Sequence, residues 1–156
     1  MLEIDVQGYK QLQLSELVLD YNGTLACDGH PLEGIKDLLN ALSDKLHVHV
    51  LTADTFGKVK NELSDVKCRI IIIPQDDQDI RKLDFIKKLG PEKTVCIGNG
   101  RNDRLMLKEA ALGIAVIQKE AAAVETVMAA DVVAPDISAA LGLLSNPLRL
   151  VATLRS

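Results

Sequence analysis

An apolar run, Leu17-Val18-Leu19, ends abruptly in Asp20, and Tyr21-Asn22-Gly23-Thr24-Leu25 follows. The run reads as a buried strand, and Asn22-Gly23-Thr24 are turn formers, so the chain reverses just past the carboxylate. Asp20 therefore falls at the carboxyl edge of a sheet, where open α/β folds bind ligands. Gly23 lets the main chain come close to a phosphate, and its neighbours offer N–H donors. A carboxylate in that position can attack phosphorus and carry the phosphoryl group, which splits one hard displacement into two easier ones. The plainer alternative is an aspartate that caps a turn. A second stretch, Gly98-Asn99-Gly100-Arg101-Asn102-Asp103, offers hard oxygen donors. By itself it also reads as a strand-to-helix turn with Asn102 or Asp103 as N-cap.

Taken together, these stretches resemble the motif set of the haloacid dehalogenase superfamily. Asp20-Tyr21-Asn22-Gly23-Thr24 is similar to its first motif, Asp-x-Asp-Gly-Thr. His47-Val48-His49-Val50-Leu51-Thr52 is similar to the second, a Thr or Ser closing an apolar strand. Lys82 matches the third, a lysine before the last catalytic strand, and Gly98 to Asp103 resembles the fourth, Gly-Asp-Gly-x-Asn-Asp. Within the superfamily the look is that of small soluble relatives of the phosphorylation domain of P-type ATPases. The resemblance implies a phosphohydrolase working through an aspartyl phosphate on Asp20. It implies a Mg²⁺ cofactor held by the Asp20 carboxylate, the Asn22 carbonyl, and Asn99 and Asp103. Thr52 would hydrogen-bond a phosphoryl oxygen, Lys82 would neutralise its charge and hold Asp20, and Gly23 and Thr24 would bind phosphate through N–H groups. Lys82 is preferred to Lys87 and Lys88 because it starts its helix near the carboxyl edge of the sheet.

Two departures matter. The residue two after the nucleophile ordinarily serves as general acid and base, and Asn22 cannot transfer a proton. General acid–base help is worth about 10²–10⁴-fold, so weakened turnover is expected. Asn99 stands where the family has an aspartate and contributes a carbonyl oxygen without charge, so weaker Mg²⁺ binding is expected. The pair of losses also admits another reading, a catalytically silent phosphate-binding or phospho-accepting regulatory module on the same scaffold.

These residues need a frame to meet in. The chain has 156 residues and is 47% hydrophobic, with two Tyr, two Phe and no Trp. One domain over residues 1–156 with an Ile, Leu, Val and Ala core suits a parallel sheet between helices. Strands are expected at Leu2–Val6, 11–14, 16–21, 45–51, a fully buried 68–73, 94–97, 112–117 and 131–133. Helices are expected at 31–43, opened by Pro31, and at 55–63, 78–89, 102–110, 120–129 and 137–144, with an apolar tail over 147–155. The first two strands form a β-hairpin. The remainder alternates, which calls for a doubly wound, Rossmann-like parallel sheet with helices on both faces and right-handed crossovers. The stretches between the motifs leave no room for a cap domain, so the site is open to a phosphorylated small molecule or macromolecule, and the hairpin and tail offer surfaces for a homo-oligomer.

A formal charge of −4 gives no reason to expect nucleic-acid binding. No apolar run reaches the length of a membrane helix, and no signal pattern opens the chain, so a cytoplasmic protein without membrane contact is the expectation. Cys27, Cys68 and Cys96 show no zinc or CxxC spacing; Cys68 and Cys96 are expected as inert core thiols and Cys27 as partly exposed. His47 and His49 share a strand face as paired surface or half-buried imidazoles. His30 is expected near the open site, Arg101 as an anion contact, and Asp76, Asp77 and Asp79 as charges favouring a helix N-terminus.

Overall fold

The computed structural model describes residues 1–54 and 57–156. A hairpin comes first, β1 (Leu2–Val6) paired antiparallel with β2 (Lys10–Leu14). β3 (Glu16–Asp20) follows, then a two-residue ladder of β4 (Ala26–Cys27) and β5 (His30–Pro31), helix α1 (Ile35–Leu42), β6 (His47–Thr52) and α2 (Lys58–Glu62). Next are β7 (Arg69–Ile72), α3 (Gln78–Leu89), β8 (Thr94–Gly98), α4 (Arg104–Glu109) and β9 (Leu112–Val116). The chain closes with α5 (Val124–Ala129), β10 (Val132–Ala134), α6 (Ile137–Ser145) and α7 (Pro147–Leu154).

Six of the strands form one parallel sheet in the order β10-β9-β8-β3-β6-β7. From β3 the chain moves outward through β6 and β7, then crosses back to β8 and moves outward the other way. The strand order therefore reverses between β3 and β8, which makes the carboxyl edge there the place for a ligand. Every residue of β3 and β8 is buried, as a strand covered on both faces requires. Alternate side chains divide between two cores. Leu17, Leu19, Val95 and Ile97 pack with α1, α6 and the hairpin, while Val18 and Cys96 pack with Ile86 of α3 and Met106 and Leu107 of α4.

The expected helix over 78–89 and the hairpin stand as read, and three expectations are corrected. Pro31 does not open a helix; it pairs with Ala26 in the β4–β5 ladder, and the Leu32 amide donates to the Leu25 carbonyl at 2.9 Å. The helix waits until Gly34, whose φ of 77° turns the chain into α1. The strand expected as fully buried over 68–73 is β7, at the sheet edge, with Arg69 and Ile72 exposed. The helix expected from residue 120 begins at Val124, because Gln118 to Ala121 first makes a turn in which Ala121 takes a φ of 60°. Of the helix expected over 55–63, residues 55 and 56 lie outside the described residues. Among the described residues no cap domain intervenes between the motifs, and no single helix is long and apolar enough to cross a membrane.

The C-terminal tail is the helix α7, and its Leu150 is fully buried against the hairpin side of the core, whereas Leu148 is 82% exposed. Leu150→Ala is expected to cost about 2–5 kcal/mol in urea denaturation, and Leu148→Ala less than about 0.5 kcal/mol. Equal effects would mean that α7 is not part of the core.

Candidate active site

Three neighbouring strands end together: β3 in Asp20, β6 in Thr52 and β8 in Gly98. α3 packs on the sheet face of Val18 and Cys96 and brings Lys82 to the same edge. Lys82 is 1% exposed, and its Nζ donates to Asp20 Oδ1 at 2.7 Å and to Asp103 Oδ1 at 2.6 Å. Asp103 is fully buried, and its Oδ2 accepts the amides of Asn99 (3.0 Å) and Gly100 (2.9 Å). That cradle needs Gly98, since a Cβ there would lie 2.5 Å from the Asp103 carboxyl carbon. Above the ion pairs opens a cavity of about 310 Å³ walled by Asp20, Asn22, Thr52, Lys82, Asn99 and Glu120.

The charges do not balance. Two buried carboxylates share a single ammonium. Burial pushes the Asp20 carboxyl up, Asp103 adds to this and Lys82 opposes it, leaving a pKa of about 7 in place of 3.8. Burial alone would pull the Lys82 ammonium down, but Asp103 and Asp20 outweigh it and hold its pKa above the ordinary value.

The Thr24 hydroxyl lies 3.3 Å from Asn99 Oδ1 and 3.5 Å from Asp20 Oδ2, so it donates toward either. Asn99 Nδ2 donates to the Ala121 carbonyl at 3.0 Å, a bond that an aspartate at that position could not make. Gly23 has a φ of 79°, and a Cβ on it would lie 2.3 Å from Asn99 Nδ2, so the first and fourth motifs meet in direct contact. The Thr52 hydroxyl accepts the Asp54 amide at 3.1 Å, which caps its strand and leaves its own proton free to donate.

The structure thus gathers Asp20, Asn22, Thr52, Lys82 and Asn99 on one cavity, with Gly23 and Thr24 in the adjoining loop and Asp103 beneath Lys82. Arg101 is engaged elsewhere, with Glu125 at 3.1 Å. Asp79 sits in the first turn of α3 and pairs with Arg104 at 2.8 Å. His30 is exposed in β5. His47 and His49 lie at the opposite sheet edge, where both bond the Glu16 carboxylate, at 3.1 and 2.8 Å. His49 is buried, and its Nδ1 has no hydrogen-bond partner among the described residues. Burial pushes the Glu16 carboxyl up, but hydrogen bonds from His49 and His47 outweigh it and hold its pKa below the ordinary value. Cys96 is buried, while Cys68 and Cys27 are half-buried, and burial raises each thiol.

Sequence reasoning missed Gln118. Its Nε2 donates to the carbonyls of Gly23 (3.0 Å) and Thr24 (2.9 Å), while its Oε1 accepts the Ile137 amide at 2.9 Å. This side chain ties the Gly23–Thr24 loop to α6. Gln118 follows an apolar strand just as Asp20 ends one, and that position was the available signal. Glu120 was missed as well, because it was expected as the first residue of a helix over 120–129.

No family model matches the chain. An uncharacterised protein of Methanocaldococcus jannaschii is 48% identical over 77 residues, 49% of this chain and 83% of that protein. The phosphoserine phosphatase of Archaeoglobus fulgidus is 28% identical over 127 residues, 76% of this chain, and the match spans only 36% of the phosphatase. Among solved structures, 3-deoxy-D-manno-octulosonate 8-phosphate phosphatase of Moraxella catarrhalis, in complex with magnesium, phosphate and the sugar acid, superimposes with a TM-score of 0.66. It is 20% identical and covers 91% of this chain and 94% of that one. The cobalt-bound octulosonate 8-phosphate phosphatase of Haemophilus influenzae gives a TM-score of 0.67 at 16% identity, covering 90% of each chain.

The raised Asp20 pKa has a sign that can be measured. Between pH 3.8 and about 7 the folded chain holds a proton that the unfolded chain has released, so this group's contribution to stability falls as pH rises through that window. Asp20→Asn removes the surplus charge and leaves a one-to-one Lys82–Asp103 pair. Without divalent ions, the variant is expected to melt higher than the parent above pH 7, by about 1 kcal/mol or more, with the gap closing in mild acid. A variant less stable at both pH values would contradict the charge imbalance.

Proposed function

We propose that this chain, which shares the fold of haloacid dehalogenase-type phosphatases and carries stretches resembling the superfamily's motifs in order, is a Mg²⁺-dependent phosphohydrolase-type domain acting through an aspartyl phosphate on Asp20. The observation that carries this reading is the convergence of Asp20, Thr52 and Lys82 on one cavity at the point where the strand order reverses. Of the octulosonate phosphatases with this fold, one is in complex with magnesium and phosphate and the other is cobalt-bound, and the Archaeoglobus relative is a phosphatase.

In the first step an Asp20 oxygen attacks phosphorus, the bond to the leaving oxygen breaks, and that oxygen takes a proton from solvent. Lys82 holds the attacking carboxylate and offsets phosphoryl charge, while Thr52 donates its hydroxyl proton to a phosphoryl oxygen. In the second step water attacks the same phosphorus, regenerating the Asp20 carboxylate and releasing inorganic phosphate.

The donor set fits Mg²⁺. Asp20 and Asp103 carry one negative charge more than Lys82 balances, Glu120 adds a carboxylate to the cavity wall, and Asn22 and Asn99 offer neutral oxygens, a set that suits an ion that keeps several waters. Asp20, the Asn22 main-chain carbonyl and Asn99 would hold it. Asp103, whose oxygens are already taken by Lys82 and two amides, would act through water. When bound, the ion supplies the positive charge that lets a carboxylate approach a phosphate dianion.

Asn22 is exposed at the cavity mouth and cannot protonate the leaving group or activate the second water. The acyl phosphate is therefore long-lived, as in the P-type ATPases, which also lack an acid at that position. The same residue favours the second reading, a phospho-accepting regulatory module. Asn22→Asp is expected to raise steady-state release of phosphate from acetyl phosphate and p-nitrophenyl phosphate at least about 10-fold, within the roughly 10²–10⁴-fold range of general acid–base help. No gain in a folded, Mg²⁺-binding variant would remove this explanation of slow turnover.

A further inference from the structure

Glu120 lines two cavities. One is the phosphoryl cavity over Asp20, and the other is a cleft of about 330 Å³ on the far side of the nucleophile loop. The cleft has apolar walls, Ala26, Leu32, Pro135 and Ile137, and polar groups at its rim, among them Lys119 and Ser138. A concave, largely apolar space of this size with a few polar groups at its edge has the character of a small-molecule site.

Its position relative to Asp20 is fixed. Gln118 bonds the carbonyls of Gly23 and Thr24 on one side and the Ile137 amide on the other, so the nucleophile loop and the cleft wall form one unit. Glu120 spans the boundary, with its Oε2 accepting the Asp28 amide at 3.4 Å across the gap to the β4–β5 turn. A ligand whose phosphate lies against Asp20 can therefore reach the cleft past this one side chain.

We propose that the cleft is the leaving-group subsite and takes the organic part of a phosphomonoester that presents an apolar face, such as an aryl or branched alkyl phosphate. The proposal rests on the phosphoryl-transfer reading given above. An apolar group gains by leaving water for Leu32 and Ile137. A polyhydroxylated group would bury hydroxyls there without partners, which is costly. The subsite thus selects against fully polar sugar phosphates, although the phosphoryl cavity accepts any monoester.

Two non-hydrolysable probes separate the cleft from the chemistry. Methylphosphonate fills the phosphoryl cavity alone, and benzylphosphonate adds a ring. Calorimetric titration of the intact, Mg²⁺-loaded protein is expected to show benzylphosphonate binding about tenfold tighter or more. Ser138 is exposed in the first turn of α6, and Ser138→Trp fills the cleft from its rim. This variant is expected to abolish the preference for benzylphosphonate and leave methylphosphonate binding unchanged, while Ser138→Ala keeps the preference. Equal binding of the two probes by the parent protein, or a benzyl preference that survives Ser138→Trp, overturns the subsite. So does an equal loss of both probes in Ser138→Trp. Labelling of Asp20 by acetyl phosphate is read in parallel. Intact labelling without a benzyl preference overturns the subsite alone, whereas absent labelling with neither probe bound overturns the phosphoryl-transfer reading as well.

Discussion

A buried ammonium shared by two carboxylates is the constraint on which this structure turns. Lys82 lies within 2.7 Å of both Asp20 and Asp103, and none of the three reaches bulk water freely. Taking such charges out of water is expensive unless each is paired, and here one negative charge is in excess. Asp103 avoids the cost by accepting two main-chain amides. Asp20 has a long contact from Thr24 and the Tyr21 amide besides Lys82, and these do not offset its burial and the nearby Asp103 charge, which together raise its pKa. The folded chain thus keeps one carboxylate poorly neutralised at the rim of the sheet, where a cation and a phosphate would relieve it. Stability is given up at the same atom that would carry the chemistry.

Neutral amides hold the loops around that centre. Asn99 joins the loop after β8 to Thr24 and to the Ala121 carbonyl, and Gln118 joins the Gly23–Thr24 loop to α6. Asn99 stands where the motif that its stretch resembles has an acid, yet its amide makes a bond that an acid could not. The substitution that removes a charge from the proposed metal site also adds a clamp between three loops. Among the described residues the Asn22 side chain makes no comparable bond and is exposed at the cavity mouth.

Much of this was legible in the chain. Apolar runs stopped by Asp20, Thr52 and Gly98 marked the ends of three central strands, since a strand buried on both faces admits few polar residues. The helical repeat after Gln78 placed Lys82 near the sheet edge rather than at Lys87 or Lys88. What could not be read locally was set by tertiary pairing. Pro31 has the local character of a helix start, but a ladder with Ala26 claims it. The apolar run at Ile70–Ile73 resembles a central strand, and only the strand order shows that it lies at the edge. Glu16 and its partners His47 and His49 come from different strands, and the partners of Gln118 come from a loop and a helix start, so spacing along the chain gave no sign of either cluster.

The most direct measurement is a crystal structure of the protein grown with Mg²⁺ and beryllium fluoride, a mimic of a phosphoryl group bound to a carboxylate. The expected result is trifluoroberyllate bonded to an Asp20 oxygen, with Lys82 and Thr52 donating to its fluorines and the metal ion against Asp20 and the Asn22 carbonyl. Beryllium fluoride bound at another residue, or an Asp20 that stays paired with Lys82 and carries nothing, would contradict phosphoryl transfer at this site.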